Sequence, residues 1–299
     1  MTTSFSNSET RLQAIFSVGK TFHYKNAEHT IIISGKPRPS SGECKTDLYI
    51  KTVDTSMHEH EIKISIKQFN ADFIENKITL ERAIQIFGNT AQDIIKMALQ
   101  QIQSQFTEEP LILFNKFRRT EAKSIKIGWK FELLNKKSGD KSALINLTQK
   151  QIIDVYSGTN LLGDKRHANV NSKIINDSGI ANAILFMDPN NHSKNLQDYA
   201  NDIQDIKDYC RDKTVYFACK AINYRATPKK WDGNRPLAVW VDWRLNNDVL
   251  SGTLNFSAPL SMKANHIGSN IQSILDQLGI NKDNFYELKD KLGAKVIYQ

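Results

Sequence analysis

Hydrophobic and polar positions alternate most regularly in the stretch from residue 41 to residue 81. Between Glu61 and Gln68, isoleucine occupies every second position and polar residues occupy the positions between. This period of two is typical of a half-buried strand. The preceding run LYIKTV, residues 48–53, predicts a partner strand, and the polar residues 54–60 predict a turn. We therefore predict a β-hairpin folded about Ser56, with a helix after it.

The rest of the chain alternates between helical and strand patterns. Apolar residues at helical spacing predict helices over residues 8–19, 70–88, 89–106, 147–158, 196–210, 266–280 and 284–293. Short apolar or alternating runs predict strands over residues 29–35, 110–114, 124–136 and 214–226, and a second hairpin over 236–260. Residues 159–179 are polar and loop-rich, and residues 180–188 fit either a helix or a strand. The order of elements predicts an α/β (α+β) fold, with a mixed central sheet flanked by helices and a strand-rich C-terminal region.

Composition places the chain among soluble globular proteins. Of its 299 residues, 40% are hydrophobic and 24% are charged, and no apolar run is long enough to cross a membrane. The polar N-terminus has no signal-peptide core. The three cysteines are widely spaced, so they suggest neither a disulfide framework nor a zinc site. We expect one domain, residues 1–299, in a reducing cytoplasm.

The charge balance favours a polyanionic partner. The net charge is +8, and a basic surface suits nucleic acid. The basic residues that we predict to contact DNA are Lys63, Arg118, Arg119, Arg225, Lys229, Lys230 and Arg235. The asparagine-rich loop 160–176 and the loop 225–235 are candidates for base readout, because arginine and asparagine hydrogen-bond base edges.

The predicted hairpin brings an acid and a lysine together. Folding about Ser56 places Asp47 opposite Ser65, and Lys67 follows on the same face of the strand. A carboxylate can hold a divalent cation, while a lysine polarises the attacking water and the phosphate. The hairpin therefore predicts metal-assisted phosphodiester chemistry.

Asp47 followed by Ser65-Ile66-Lys67 resembles the active-site signature of the PD-(D/E)xK nuclease superfamily. That signature has Asp at the start of one strand and Asp/Glu-x-Lys on the next, and Ser65 stands here at the place of the second acid. The arrangement is similar to that of restriction enzymes with Ser-x-Lys, whose second carboxylate lies on the following helix, with thirteen residues between it and the lysine. The same count from Lys67 reaches Glu81.

The resemblance implies a restriction-endonuclease-like core and a catalytic site that binds one or two Mg²⁺ ions. Its catalytic residues would be Asp47, Ser65, Lys67 and Glu81. Its metal ligands would be Asp47 and Glu81, helped by Glu43 and by the main-chain carbonyl of Ile66. The choice between Glu81 and Glu43 for the second carboxylate stays open.

The resemblance also implies a bacterial or phage-encoded type II restriction endonuclease that cuts double-stranded DNA at a specific sequence. The catalytic core would lie mostly in residues 8–135, with recognition and dimerisation elements in residues 159–299. A symmetric target site would call for a homodimer.

Several alternatives fit the same residues. Glu61-Ile62-Lys63 also matches the signature, but the hairpin would pair Glu61 with Lys51, away from Asp47. His58 and His60 in the turn could bind a metal or be solvated. The protein could also be a nonspecific, repair or phage nuclease, a methylation-dependent enzyme, or a DNA-binding protein without activity.

Overall fold

A computed structural model of the protein describes residues 4–69, 71–188, 190–191 and 193–299. In the first helix, side chains are described from Ser8 onward. The chain divides into two compact units, each made of two segments. Unit 1 comprises Met1–Asp72 and Leu147–Thr214, and unit 2 comprises Phe73–Asn146 and Val215–Gln299.

Unit 1 is a mixed sheet with helices. Its helices are α1 (Ser4–Ile15), α5 (Gln149–Ser157), α6 (Gly163–Arg166), α7 (Leu196–Asp202) and α8 (Ile206–Cys210). Its strands are β1 (Thr21–Tyr24), β2 (Ala27–Gly35), β3 (Leu48–Asp54), β4 (Glu59–Gln68), β9 (Asn169–Val170), β10 (Lys173–Ile174), β11 (Ala183–Met187) and β12 (Gln204–Asp205).

The main sheet of unit 1 has the strand order β1-β2-β3-β4-β11-β12. Strands β1 to β4 form an antiparallel meander, β4 pairs with β11 in parallel, and β11 pairs with β12 antiparallel. A parallel pair needs a long crossover, and the connection from β4 to β11 includes helix α5. Strands β9 and β10 form a separate small hairpin.

One face of this sheet builds the hydrophobic core of unit 1. The alternating isoleucines of β4 are at most 3% exposed and pack in one cluster with Leu12 of α1, Phe16 just after that helix and Tyr199 of α7. Burying a side chain of this size stabilises a fold by about 1.5–3 kcal/mol. The polar positions of β4 therefore face the other way, which fixes the side of the sheet on which Ser65 and Lys67 lie.

Unit 2 is built around an eight-stranded sheet with β14-β13-β7-β16-β17 as its main path. The strands of unit 2 are β5 (Phe73–Glu75), β6 (Ile112–Leu113), β7 (Ser124–Leu134), β8 (Ser142–Ile145), β13 (Val215–Arg225), β14 (Lys230–Trp231), β15 (Pro236–Leu237), β16 (Val239–Asn246), β17 (Val249–Asn255) and β18 (Met262–Lys263). Strands β15 and β18 pair with each other in a separate two-stranded sheet. Its helices are α2 (Leu80–Phe87), α3 (Ala91–Gln100), α4 (Ser104–Thr107) and α9 (Ala264–Gln277), with a 3-10 helix at Phe285–Lys291. No helix in the described residues has the length and apolar character needed to span a bilayer.

The predicted mixed α/β class is confirmed, and so are both hairpins. Strand β4 covers the alternating isoleucines, and β16 and β17 pair about a turn at Asn247 and Asp248, both with positive φ. Helix α5 ends at Gly158, as its sequence predicts, with Gly158 in the left-handed conformation. The ambiguous residues 180–188 contain strand β11.

Two helix predictions were wrong in part. Residues 73–75 form strand β5 against the edge of β7, and α2 starts only after Thr79, whose side chain caps the Arg82 N–H. The predicted helix 196–210 is divided because Ile203 is extended and residues 204–205 pair with β11. Asp205 then caps α8. In both places, pairing at a sheet edge competes with helical periodicity.

The chain divides into two compact units, and the predicted single domain, residues 1–299, stays a prediction. Residues 73–135, assigned by the sequence to the catalytic core, belong to unit 2, whereas residues 159–214 belong to unit 1. The physical reason is the parallel pairing of β4 with β11, which brings the later segment back to the first sheet. No hydrophobic pattern reveals a pairing between residues this far apart in the chain.

Gly158 provides a test of the packing in unit 1. A Cβ there would lie 2.7 Å from Leu161 Cδ1 and 2.7 Å from Lys45 Cγ, at φ +76°. Gly19 has φ +85°, but no described atom would lie within 4 Å of its Cβ. We expect Gly19→Ala to lower the free energy of unfolding by about 1 kcal/mol through backbone strain. Gly158→Ala should lose about 1–3 kcal/mol more through overpacking, measured by urea unfolding. Equal losses would contradict the packing at Gly158.

Candidate active site

The register of the β3–β4 hairpin places the predicted residues together. Leu48 pairs with Ile64, so Asp47, one residue earlier, lies opposite Ser65. Lys51 pairs with Glu61, as the hairpin prediction requires. The juxtaposition of Asp47 with the Ser65-x-Lys67 strand is therefore present in the structure.

The Asp47 side chain extends the hydrogen-bond ladder beyond the end of β3. The Asp47 N–H donates to the Ile64 carbonyl at 2.8 Å. The Ile66 N–H donates to Asp47 Oδ2 at 2.7 Å. The carboxylate thus occupies the position where the next main-chain acceptor of β3 would lie, and this contact fixes its orientation.

The same alternation orients the Ile66 carbonyl. Even-numbered residues of β4 turn their backbone groups toward β3, whereas Lys63 accepts from Asn182 N–H on the β11 side at 3.0 Å. The paired register between β3 and β4 begins at Leu48 and Ile64. The Ile66 carbonyl therefore lies on the β3 side of β4, beyond the paired residues of β3.

Burial raises the pKa of Asp47 to about 6, because the ionised carboxylate loses solvation. The positive charge of Lys67 opposes this rise, and the negative charge of Glu9 adds to it. The Ile66 N–H and Lys36 also favour the ionised form. The site thus holds two acids and two lysines close enough to influence one titration.

Glu9 and Lys36 are the site residues that the sequence analysis missed. Glu9 lies on α1, its side chain is 13% exposed, and it forms an ion pair with Lys36 just after β2. The sequence predicts a helix over residues 8–19, but nothing in the spacing links its acid to Asp47. In the fold, the negative charge of Glu9 nevertheless acts on Asp47 and raises the pKa of that carboxyl.

Three polar side chains near Asp47 are buried with unsatisfied atoms. Thr46 and Ser65 are each 1% exposed, and Gln68 is 8% exposed. Within the described residues, Thr46 Oγ1, Ser65 Oγ and Gln68 Nε2 have no hydrogen-bond partner. A buried polar atom left unpaired costs about 1–3 kcal/mol. Such atoms at the end of a hairpin that carries an acid and a lysine mark a place where a ligand could supply the missing contacts.

The residues around Asp47 include oxygen ligands of the kind that Mg²⁺ prefers. Asp47 and Glu9 offer carboxylates, Ile66 offers a carbonyl, and Ser65 offers an unpaired hydroxyl. Mg²⁺ prefers oxygen ligands and keeps several waters, so one or two carboxylates suffice. In the described part of the chain, no group of three or more His, Cys, Asp or Glu is placed to hold a metal ion. The arrangement therefore suits an ion that is bound partly through water.

The two other predicted acids lie on a helix of unit 2 and in a loop of unit 1. Glu81 is exposed on the first turn of α2 in unit 2. An acid there stabilises the start of a helix. Its partnership with Asp47 stays a prediction. Glu43 is exposed in the loop before Asp47, and its role as a ligand also stays a prediction.

The alternative residues of the hairpin have other partners. Glu61 accepts a hydrogen bond from the Tyr49 hydroxyl at 2.7 Å and pairs with Lys63 at 3.7 Å. In the turn, the His60 hydrogen bond lowers the pKa of Asp54 to about 2, and His58 lies 3.6 Å from the same carboxylate. Through these contacts, Glu61 and the two histidines hold the hairpin in shape.

The predicted DNA-contacting residues other than Lys63 all lie in unit 2. Arg118, Arg119, Lys229 and Lys230 are exposed, and Arg235 is half-buried. Arg225 pairs with Glu121 at 3.0 Å and with Asp232 at 2.7 Å, so its guanidinium helps to hold the local loops. Lys63 is mostly covered and engaged with Glu61. Their contact with DNA stays a prediction.

Comparison with protein-family models, curated proteins and solved structures gave no match. The functional assignment therefore depends on the geometry of unit 1 and on the chemistry of its side chains.

Asp47→Asn should stabilise the metal-free protein at pH 8. The folded carboxyl titrates near pH 6, whereas an unfolded aspartate titrates near 3.9, so ionisation penalises the folded state above about pH 6. The expected gain is about 2 kcal/mol in free energy of unfolding, fading as the pH falls from about 6 to 4.

Asp54→Asn is the matched control for this experiment. The pKa of Asp54 is lowered to about 2 by its hydrogen bond with His60, so this variant should lose stability at pH 8. The contribution of Asp54 itself disappears as the pH falls through about 2. Urea unfolding in EDTA measures both variants. If Asp47→Asn instead loses stability at pH 8, the ionised Asp47 carboxylate does not destabilise the folded state and the prediction is wrong.

Proposed function

We propose that the protein is a Mg²⁺-dependent endonuclease with a restriction-endonuclease-like core, acting on double-stranded DNA. The single observation that carries the proposal is the register that sets Asp47 opposite Ser65, with Lys67 two residues further on the same face. An acid fixed by the backbone beside a lysine supplies a metal ligand and a positive charge, both of which assist phosphodiester hydrolysis. The net charge of +8 suits a polyanionic substrate.

The two acids have the role of holding the metal. Asp47 keeps Oδ1 for this purpose because Oδ2 accepts from Ile66 N–H, and Glu9 brings a second carboxylate from α1. Bound Mg²⁺ would supply positive charge that stabilises the negative charge developing on the phosphate. Lys36, paired with Glu9, orients that acid.

Lys67 has the role of polarising the attacking water and neutralising the scissile phosphate. Its charge already acts on Asp47 across the end of the hairpin. Ser65 is buried and precedes Lys67 by two residues. Its hydroxyl has no hydrogen-bond partner within the described residues and can hydrogen-bond water in the site. In other enzymes, removing one preorganised group that stabilises the transition-state charge lowers kcat about 100- to 1,000-fold.

A cleavage site with two-fold symmetry would require two copies of the chain, because symmetric targets mirror symmetric proteins. Sequence-specific cleavage by a homodimer is therefore the form of the activity that we favour. A nonspecific nuclease of the same fold would use the same residues as a monomer.

Purified protein should cut plasmid DNA with Mg²⁺ and leave it intact with EDTA. Lys67→Ala should lower the rate at least about 100-fold, because the phosphate loses its preorganised charge. Lys51→Ala is the matched control, since Lys51 lies further along β3 and pairs with Glu59.

The pattern of products separates the forms of the activity. Discrete fragments indicate a sequence-specific enzyme, and a smear indicates a nonspecific nuclease. Intact DNA in every condition, with methylated and unmethylated plasmids both tested, would leave only a DNA-binding role and would overturn the proposal.

A second experiment identifies the other metal-binding acid. If Glu9 supplies it, Glu9→Gln should raise the Mg²⁺ concentration needed for half-maximal cleavage by at least about tenfold, while Glu81→Gln leaves it unchanged. Both substitutions keep the side-chain shape and remove one charge. The reverse outcome would assign the ligand to Glu81 on α2.

A further inference from the structure

A small β-ribbon extends unit 1 beyond the end of β2. Strands β9 and β10 pair through Val170 with Lys173 and Asn169 with Ile174. Arg38, in the loop after β2, forms a single antiparallel bridge to Asn169, with N–H···O contacts of 2.8 and 3.2 Å. The ribbon therefore has two strands, with Arg38 paired to its base.

Two features make the ribbon rigid. Its two-residue turn has positive φ at Asn171 and Ser172, as in the tight turns that match strand twist. The Ser172 N–H also donates to Asn169 Oδ1 at 2.8 Å. The Asn171 side chain donates to the Ser34 carbonyl at 2.9 Å, which fastens the turn to the end of β2. Asn169 and Asn171, from the asparagine-rich loop, thus hold the ribbon in shape.

One face of the ribbon presents a row of three side chains to solvent. Residues directly opposite in an antiparallel ladder share a face, so Arg38, Asn169 and Ile174 form a row across it. All three are exposed, and Ile174 is 75% exposed. The neighbouring Val170 points to the other face and is 1% exposed.

This row has the chemistry of a reader of DNA bases. The major groove admits a β-ribbon, arginine binds guanine O6 and N7, and apolar side chains contact the thymine methyl group. Arg38 makes no side-chain hydrogen bond or ion pair within the described residues. Asn169 Oδ1 accepts a hydrogen bond from the Ser172 N–H within the turn. Arg38 and Ile174 are therefore the two side chains of this row that are available to contact bases.

The ribbon is also tied to the candidate active site. Gly35 ends β2, and a Cβ there would lie only 2.9 Å from Val170 Cγ1. The next residue, Lys36, pairs with Glu9. The end of β2 therefore contacts the ribbon through Gly35 and the candidate active site through Lys36.

We propose that the ribbon formed by Arg38 and the β9–β10 hairpin enters the major groove of duplex DNA and determines sequence preference through Arg38 and Ile174. The inference rests on the proposed role of the chain in acting on DNA. It assigns sequence preference to unit 1, the unit that carries Asp47 and Lys67.

The test is a binding selection from a random duplex library with wild-type protein in EDTA, where metal-dependent cutting is absent. The wild type should enrich a sequence that contains guanine and thymine. Arg38→Ala should lose discrimination at a guanine by about 10- to 100-fold, and Ile174→Ala should lose it at a thymine. Lys20→Ala and Met57→Ala, exposed residues elsewhere in unit 1, are matched controls that should keep the full preference.

Modified bases separate groove reading from a general loss of affinity. Replacing guanine by 7-deazaguanine, or thymine by uracil, in the enriched duplex should weaken the wild type. The first change should leave Arg38→Ala unaffected and the second should leave Ile174→Ala unaffected. Equal enrichment by all five proteins, or no enrichment by the wild type, would overturn the inference. Enrichment without cleavage in Mg²⁺ would overturn only the proposed hydrolysis.

Discussion

The hydrogen bond from the Ile66 N–H to Asp47 Oδ2 is the contact on which the candidate site depends. It places a carboxylate where a main-chain carbonyl would otherwise continue the sheet. The acid is therefore aligned by the backbone of the neighbouring strand and is not left to a flexible rotamer. The same contact uses only one of the two carboxylate oxygens of Asp47.

This alignment has an energetic cost that the surroundings only partly offset. Burial and Glu9 disfavour the charge on Asp47, while Lys67, Lys36 and the Ile66 N–H favour it. Strain of this kind is common at functional sites, where groups are held in place before their ligand arrives. A cation between the two acids would remove the repulsion, so metal binding and stability are coupled through one pair of side chains.

The hairpin and its register follow from sequence because they depend on local pattern. Alternating isoleucines fix which face of β4 is buried, and a turn about Ser56 then determines that Asp47 meets Ser65. Glu9 does not follow, because its position is set by the packing of α1 on the sheet and no spacing along the chain records that packing.

The helix boundaries near residues 73 and 203 were missed for a similar reason. Short segments there gain hydrogen bonds at a sheet edge, and this gain outweighs a helical pattern of side chains. The base-reading loops were chosen by composition, which cannot distinguish an asparagine that folds a turn from one that faces solvent. Asn169 and Asn171 illustrate the difference.

The parallel pairing of β4 with β11 also has a consequence for synthesis in the cell. Ile64 pairs with Ala183, so the edge of β4 stays unpaired until more than a hundred further residues have been synthesised. At about 5–20 residues per second, that interval is on the order of ten seconds. An unpaired strand edge can associate with other chains. The sheet that carries the site can therefore become complete only late in translation, and until then the nascent hairpin exposes an unpaired edge.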